Sequence, residues 1–343
     1  MRKNLLFPIF YGILMTSFTV YVVLDTFVIT RVYGAVEPTA STYTASVDES
    51  ETTGSVTIET ETSGTSGSSS SVKRSKKKSS SSGTAAHASA ETAETTAEAA
   101  VSTENTYQDE NISVTLTEYT VNDTAVYVAD VTLSSADYLK TALAQGLYGK
   151  NVTESTSDMA EDNNAILAIN GDYYGAQEKG YVLRNGVLYR STAAKNQEDL
   201  VIYADGSFQI INESEVTAEE LLADGAVQIL SFGPALVTDG EIAVSTTEEV
   251  GQAKSSNPRT AIGVIDDLHY IFVVSDGRTD ESEGLSLYEL ASFMESLGAE
   301  TAYNLDGGGS STMVFNGILI NNPTSTGNSI RERSVSDIVY IGY

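Results

Sequence analysis

Three short stretches set a carboxylate beside glycine at the end of an apolar run. They are Asn170-Gly171-Asp172, Ser275-Asp276-Gly277-Arg278, and Asn304-Leu305-Asp306-Gly307-Gly308-Gly309-Ser310-Ser311-Thr312. Three arginines, Arg259, Arg278 and Arg333, each stand next to a turn or a strand end. A carboxylate can serve as acid, base or nucleophile at an anomeric carbon, and the planar guanidinium fork matches phosphate bidentately. Together they suit a glycosyl phosphate, which needs carboxylates at the sugar carbon and cations at the phosphate. The triple glycine costs the folded backbone about 0.5–1 kcal/mol per residue relative to alanine. Folds tolerate that where the backbone must turn to positive φ or lie against a ligand. Bare amides followed by three hydroxyls offer an oxyanion many donors and little bulk.

Other chemistries are excluded by what is missing. There is no cysteine, so disulfides, thiolate metal sites and cysteine nucleophiles are ruled out. Two histidines, His87 and His269, cannot build a multi-histidine metal centre. His87 lies in a low-complexity stretch and His269 opens a strand, where a packed or surface role is expected. A serine hydrolase through Ser310 or Ser311 lacks the Gly-x-Ser-x-Gly elbow, and no Lys-Ser or Lys-Thr follows the glycines as a P-loop requires. The formal net charge of −28 excludes bulk attraction to nucleic acid. An anionic substrate must therefore be held by local arginines against an unfavourable overall field. The hydrolytic chemistry requires no cofactor; oxygen-only ligands near the aspartates would suit Ca2+ or Mg2+.

The elements that position these groups occupy the last two thirds of the chain. Arg2 and Lys3 precede Leu5 to Leu24, an uncharged apolar run long enough to span a hydrocarbon core as a helix. The basic flank predicts a signal anchor with the remainder outside the cytoplasm, as in a single-pass protein of a bacterium with an exposed cell wall. Residues 35–106 are Ser, Thr, Ala, Glu and Gly with few large apolar side chains, a composition that predicts a disordered spacer lifting the following domain off the membrane. Lys73-Arg74-Ser75-Lys76-Lys77-Lys78 inside it reads as a solvated charge run.

From Tyr107 onward, alternation predicts strands at Ile112–Tyr119 and Ala125–Leu133, and an aliphatic strand at Ala165–Ile169. Asn185-Gly186 and Asp205-Gly206 are type I′ hairpin signals, and Asp239-Gly240 and Asn316-Gly317 also mark hairpins. Thr217–Ala223 reads as a short helix, and Ser157–Asn164 as another. The clearest helix is Ser286–Leu297, with a capping box of Ser286 and Glu289, an apolar stripe, and Gly298 as its stop. Strands outnumber helices and one crossover helix links two strands. The fold class is α+β, with a mixed, strongly curved sheet and a few packed helices, preceded by a transmembrane helix and a disordered linker. The predicted organisation is 1–34 anchor, 35–106 linker and 107–343 folded domain.

Five motifs occur in order: Asn170-Gly171-Asp172-Tyr173-Tyr174, Asn257-Pro258-Arg259-Thr260-Ala261-Ile262-Gly263, Ser275-Asp276-Gly277-Arg278, Asn304 to Met313, and Glu332-Arg333-Ser334-Val335. Together they resemble the phosphodiester glycosidase family over residues 138–343. Ser334 departs from the pattern, where a proline is more usual. The resemblance implies cleavage of a glycosyl–phosphate bond, with a phosphorylated glycan or sugar phosphodiester as substrate. Its bacterial members point toward exopolysaccharide. On this reading Asp306 and Asp172 take the acid–base or nucleophile roles, with Asp276 a third catalytic candidate. Arg259, Arg278, Arg333 and the amides of Gly307, Gly308 and Gly309 bind phosphate. Ser310, Ser311 and Thr312 donate hydrogen bonds, and Asn170 and Asn304 orient the sugar or a carboxylate. A wall-anchored module that binds phosphorylated polysaccharide without cleaving it would use the same arginines and glycines.

Overall fold

The computed structural model describes residues 6–33, 100–247 and 256–343. Its strands form a nine-stranded sheet, two five-stranded sheets and one two-stranded pair, accompanied among the described residues by four α-helices. In the large sheet Ala235–Thr238, Thr301–Asn304, Arg259–Asp266, His269–Ser275, Thr124–Leu133 and Ile112–Val121 lie side by side in that order. Leu167–Asn170 sits in a five-stranded sheet between Met313–Phe315 and Asp337–Ile341. The other five-stranded sheet pairs Val182–Arg184, Ala226–Leu230 and Glu198–Tyr203.

Helix Leu287–Ser296 is the expected crossover, carrying the chain from His269–Ser275 to Thr301–Asn304. Both strands pair antiparallel with Arg259–Asp266. They therefore run in one direction, but the strand between them prevents a parallel ladder. Every pairing among the described strands is antiparallel. The mixed sheet of the sequence reading thus reduces to that crossover.

Strand His269–Ser275 is buried on both faces, which explains its unbroken apolar run. Phe272 and Val274 join a core with Ile262, Leu167, Ile169, Leu200, Tyr303, Met313 and Val339, drawn from all three larger sheets. Ile271 and Val273 face the other way, onto Leu287, Leu290, Ala291 and Met294 of the crossover helix. That helix starts with the expected capping box, in which Ser286 and Glu289 satisfy each other's backbone amides, and Gly298 follows it at φ 87°. Thr217 and Glu220 cap Ala218–Ala223 in the same way.

Asn185-Gly186, Asp239-Gly240 and Asn316-Gly317 all turn with paired positive φ, as a type I′ hairpin demands. At Asp205-Gly206 only the glycine does, at φ 90°. The Asp205 side chain accepts from Ser207 N at 2.9 Å and closes a longer loop instead.

The N-terminal expectations change most. A helix occupies the predicted place, Leu6–Phe27, but among the described residues no helix is long and apolar enough to cross a membrane. The domain also begins before Tyr107, since Val101–Ser102 pairs with Thr106–Gln108. Such short strands of polar residues carry no apolar alternation to read.

The chain just after the first helix is already part of the domain's hydrogen-bonding. Arg31–Val32 pairs with Gly149–Lys150, Tyr33 N donates to Tyr148 O at 2.8 Å, and Asn151 Nδ2 donates to Ile29 O at 3.0 Å. Most of the predicted spacer, with its Lys73–Lys78 run and His87, lies outside the described residues.

Candidate active site

The strand ends converge on one cleft of about 620 Å3. Arg259 opens its strand where the neighbouring Thr301–Asn304 ends, and Asp306 follows two residues later. Asp306 N donates to Gly171 O at 3.2 Å, which ties this edge of the nine-stranded sheet to the loop after Leu167–Asn170. The lining of the cleft combines Asn257, Arg259, Arg278, Asp306, Gly307, Gly308 and Arg333 with Tyr173, Gln177, Lys179, Ala194, Gln197, Ser231 and Phe232.

Asp306 is the carboxylate of this cleft, and it is 8% exposed. Its Oδ2 accepts from Ser310 Oγ at 2.6 Å and from Arg333 Nη2 at 2.9 Å. Arg333 holds the same serine through Nε at 2.8 Å. Burial pushes the Asp306 carboxyl above its ordinary range, and Arg333 and Ser310 oppose that shift without cancelling it.

Arg278 donates to Ser325 O at 2.7 Å and to Asn257 Oδ1 at 3.0 Å. Burial and the like charge of Arg333 both lower its pKa, and Asp306 works the other way. Arg259 is buried and anchored by Nε to Leu285 O at 2.8 Å. Two mutually repelling guanidiniums beside one carboxylate leave a local surplus of positive charge, which an anion in the cleft would relieve.

Asp172 borders a smaller adjoining pocket that also contains Asp306, Ser310 and Arg333. Its Oδ1 accepts from Tyr174 N at 2.8 Å and its Oδ2 from Ser231 N at 2.9 Å and Arg184 Nη2 at 2.7 Å. Arg184 is buried between Asp172 and Asp337, with Nε 2.8 Å from Asp337 Oδ2, and its guanidinium lies 5.6 Å from the centre of the Tyr174 ring. Burial and the charge of Asp172 raise the Asp337 carboxyl to about 7 despite Arg184. For Arg184, burial favours loss of charge, but Asp172 and Asp337 more than offset it and its pKa is raised.

The remaining predicted residues hold the site together from behind. Asp276 does not reach the cleft; its oxygens accept from Asn322 N at 2.8 Å and Asn322 Nδ2 at 3.0 Å. Asn170 faces inward, donating to Asp306 O at 2.6 Å and accepting from Thr260 Oγ1 at 2.8 Å. Asn304 donates to Gly233 O at 2.7 Å. Neither amide is offered to a sugar. The Ser311 and Thr312 hydroxyls are buried without partners rather than aimed at the cleft.

The glycines act chiefly through their lack of a side chain. Gly308 N is occupied by Pro258 O at 2.8 Å, and a Cβ there would lie 2.7 Å from Arg278 Nη2. A Cβ on Gly309 would meet Ser325 Oγ at 2.2 Å. The triple glycine therefore lets Arg278 and its loop close over the backbone, and the Gly308 amide is not available to phosphate. Among the described residues no group of three or more acidic or histidine side chains could hold a metal ion.

Sequence reasoning missed Arg184 and Asp337. Each is a charge inside a buried apolar strand, Val182–Arg184 and Asp337–Ile341, and that was the available signal. Gln177, Lys179, Gln197 and Phe232 come from loops whose composition announces nothing.

Comparison with known proteins adds the following. Residues 163–342 match the family model for phosphodiester glycosidase. Mouse N-acetylglucosamine-1-phosphodiester alpha-N-acetylglucosaminidase is 30% identical over 187 residues, covering 50% of this chain and 35% of the mouse protein. The SPbeta prophage-derived protein YomE of Bacillus subtilis is 31% identical over 201 residues, covering 57% of this chain and 31% of YomE. The chain thus spans about a third of the length of these relatives. The catalytic domain of the zebrafish N-acetylglucosamine-1-phosphodiester alpha-N-acetylglucosaminidase, auto-inhibited by its pro-peptide, superposes with a TM-score of 0.54. It is 22% identical, over 68% of this chain and 83% of that one, a likeness of fold.

Proposed function

The chain belongs to the phosphodiester glycosidase family, and on that footing we propose that its cleft hydrolyses a sugar-1-phosphodiester in an extracytoplasmic glycan. The observation that supports this most is the meeting of Asp306 with Arg259, Arg278 and Arg333 in one cleft. The guanidiniums take the phosphate. Tyr173 and Phe232, which also line the cleft, offer apolar ring faces to the sugar. The C1–O bond breaks as water supplies the new oxygen at C1, and its electron pair leaves on the phosphate oxygen as a phosphomonoester. Phosphate is a good leaving group, so the demand for a general acid is small. Asp306 acts at the anomeric carbon, as base or nucleophile, and Asp172 is held behind it by Arg184.

The test is turnover. The intact protein, incubated with a panel of sugar-1-phosphodiesters, is expected to release free sugar. Measurable binding with no release across the panel would replace the hydrolase with a binding module.

A further inference from the structure

The cleft gathers more positive charge than one sugar-1-phosphodiester can match. Its lining carries four cations, Lys179, Arg259, Arg278 and Arg333, and one carboxylate, Asp306. Arg333 is already paired with Asp306 at 2.9 Å. A phosphodiester brings a single negative charge, which the Arg259 and Arg278 guanidiniums suffice to hold. Lys179 is left over, and among the described residues it makes no ion pair.

The chain around Lys179 fixes its place. Arg190, the last residue of strand Val187–Arg190, clasps the segment that carries it. Its Nη1 donates to Tyr174 O at 3.1 Å and to Gln177 O at 2.7 Å, and its Nε donates to Gly180 O at 2.6 Å. Gly180 N donates to Thr192 O at 2.9 Å. A Cβ on Gly180 would lie 2.9 Å from the Oγ of Ser231, another cleft residue, so the chain runs close against the cleft just after Lys179. The adjacent acid does not neutralise the lysine. Glu178 borders a neighbouring pocket of about 240 Å3, where it pairs with Lys150 at 3.1 Å. The two successive charges therefore line different pockets. Like charges gathered in one cleft repel, and a second anion beside the first relieves what a single phosphate leaves.

We propose that Lys179 is a specificity-determining residue that binds a second oxyanion, a phosphate or a carboxylate, in the part of the substrate beyond the scissile diester. The substrate class is then an anionic glycan, and not a neutral one with a lone phosphodiester. The proposal rests on the phosphodiester reading for the first anion only.

Two measurements on the intact protein at low ionic strength test it. Lys179 is exposed, so its substitution disturbs no packing. Calorimetry with glycerol monophosphate and glycerol bisphosphate needs no turnover. The preference for the bisphosphate is expected to fall about fivefold in Lys179→Gln, the reach of an exposed ion pair. It should be kept in Lys179→Arg and shrink as salt is added. For turnover, sugar-1-phosphodiesters with one sugar and three different alcohols on the phosphate, neutral, phosphorylated and carboxylated, are compared. An anionic alcohol should lower KM in the wild type, and Lys179→Gln should erase that advantage. An advantage confined to the phosphorylated alcohol supports the proposal with a repeated sugar phosphate as the source, and one confined to the carboxylated alcohol supports it with an acidic sugar. A preference that is the same in the wild type and Lys179→Gln overturns the proposal. So does sugar release with one KM for all three alcohols, which leaves the hydrolase reading standing. A preference that depends on Lys179, with no sugar released from any substrate, supports the second anion site and removes the hydrolase reading instead.

Discussion

Asp306 combines burial, a serine hydroxyl and a guanidinium on a single oxygen, Oδ2. An asparagine fits the same space and keeps an acceptor for Ser310 and Arg333, but it cannot act as base or nucleophile. Asp306→Asn is expected to lower kcat/KM by about 10²–10⁴-fold, with the urea midpoint nearly unchanged; substantial residual turnover would take Asp306 off the catalytic list. Asp337 makes a pH prediction. Its folded pKa is raised to about 7 from an ordinary 3.8. Between those values the folded chain keeps a proton that the unfolded chain has released. This contribution to stability is complete below the lower value and is lost as pH rises through the upper one. The urea midpoint should therefore fall across that window, and Asp337→Asn should flatten the slope; an unaltered slope would place the titration elsewhere. Residue types alone pointed to Asp306, Arg259, Arg278 and Arg333. They could not reveal direction: Asn170 and Asn304 carry the same amide as a sugar-binding side chain but point into the protein. Arg184 and Asp337 are 153 positions apart, and nothing local to either predicts their meeting.

Among the elements, those with strong local chemistry were legible. The capping boxes at Ser286 and Thr217 and the Asn-Gly hairpins each need particular residues at fixed spacing, and the structure uses them so. Edge strands two residues long were not, because pairing there is decided by a partner far along the chain. Arg31–Val32 is the clearest case. Gly149 receives it: a Cβ at 149 would lie 2.2 Å from Arg31 O and 2.7 Å from Val152 Cγ2. Gly149→Val should therefore expel the strand. The expected readout is loss of hydrogen-exchange protection at the Tyr33 amide, with the amides of His269–Ser275 still protected. If Tyr33 stays protected, the fit at Gly149 is not what seats the strand. The consequence extends toward the site, since Tyr33 packs on Tyr148 and Tyr148 stacks on Tyr174 at 5.4 Å. Tyr174 in turn donates its amide to Asp172.

At the scale of the molecule, an acid-rich chain gathers its few cations where they can hold an anion. The formal charge is −28, yet Arg259, Arg278, Lys179 and Arg333 all line one cleft. Composition revealed the general field but not this local reversal, which depends on three sheets meeting at their strand ends. The seating of Arg31–Val32 on Gly149–Lys150 has a further consequence at this scale. Tyr33 donates its amide to Tyr148, and a Cβ at position 149 would strike the Arg31 carbonyl. Position 149 must therefore remain glycine for this early segment to keep its place on the domain, a constraint that the sequence around Gly149 does not announce.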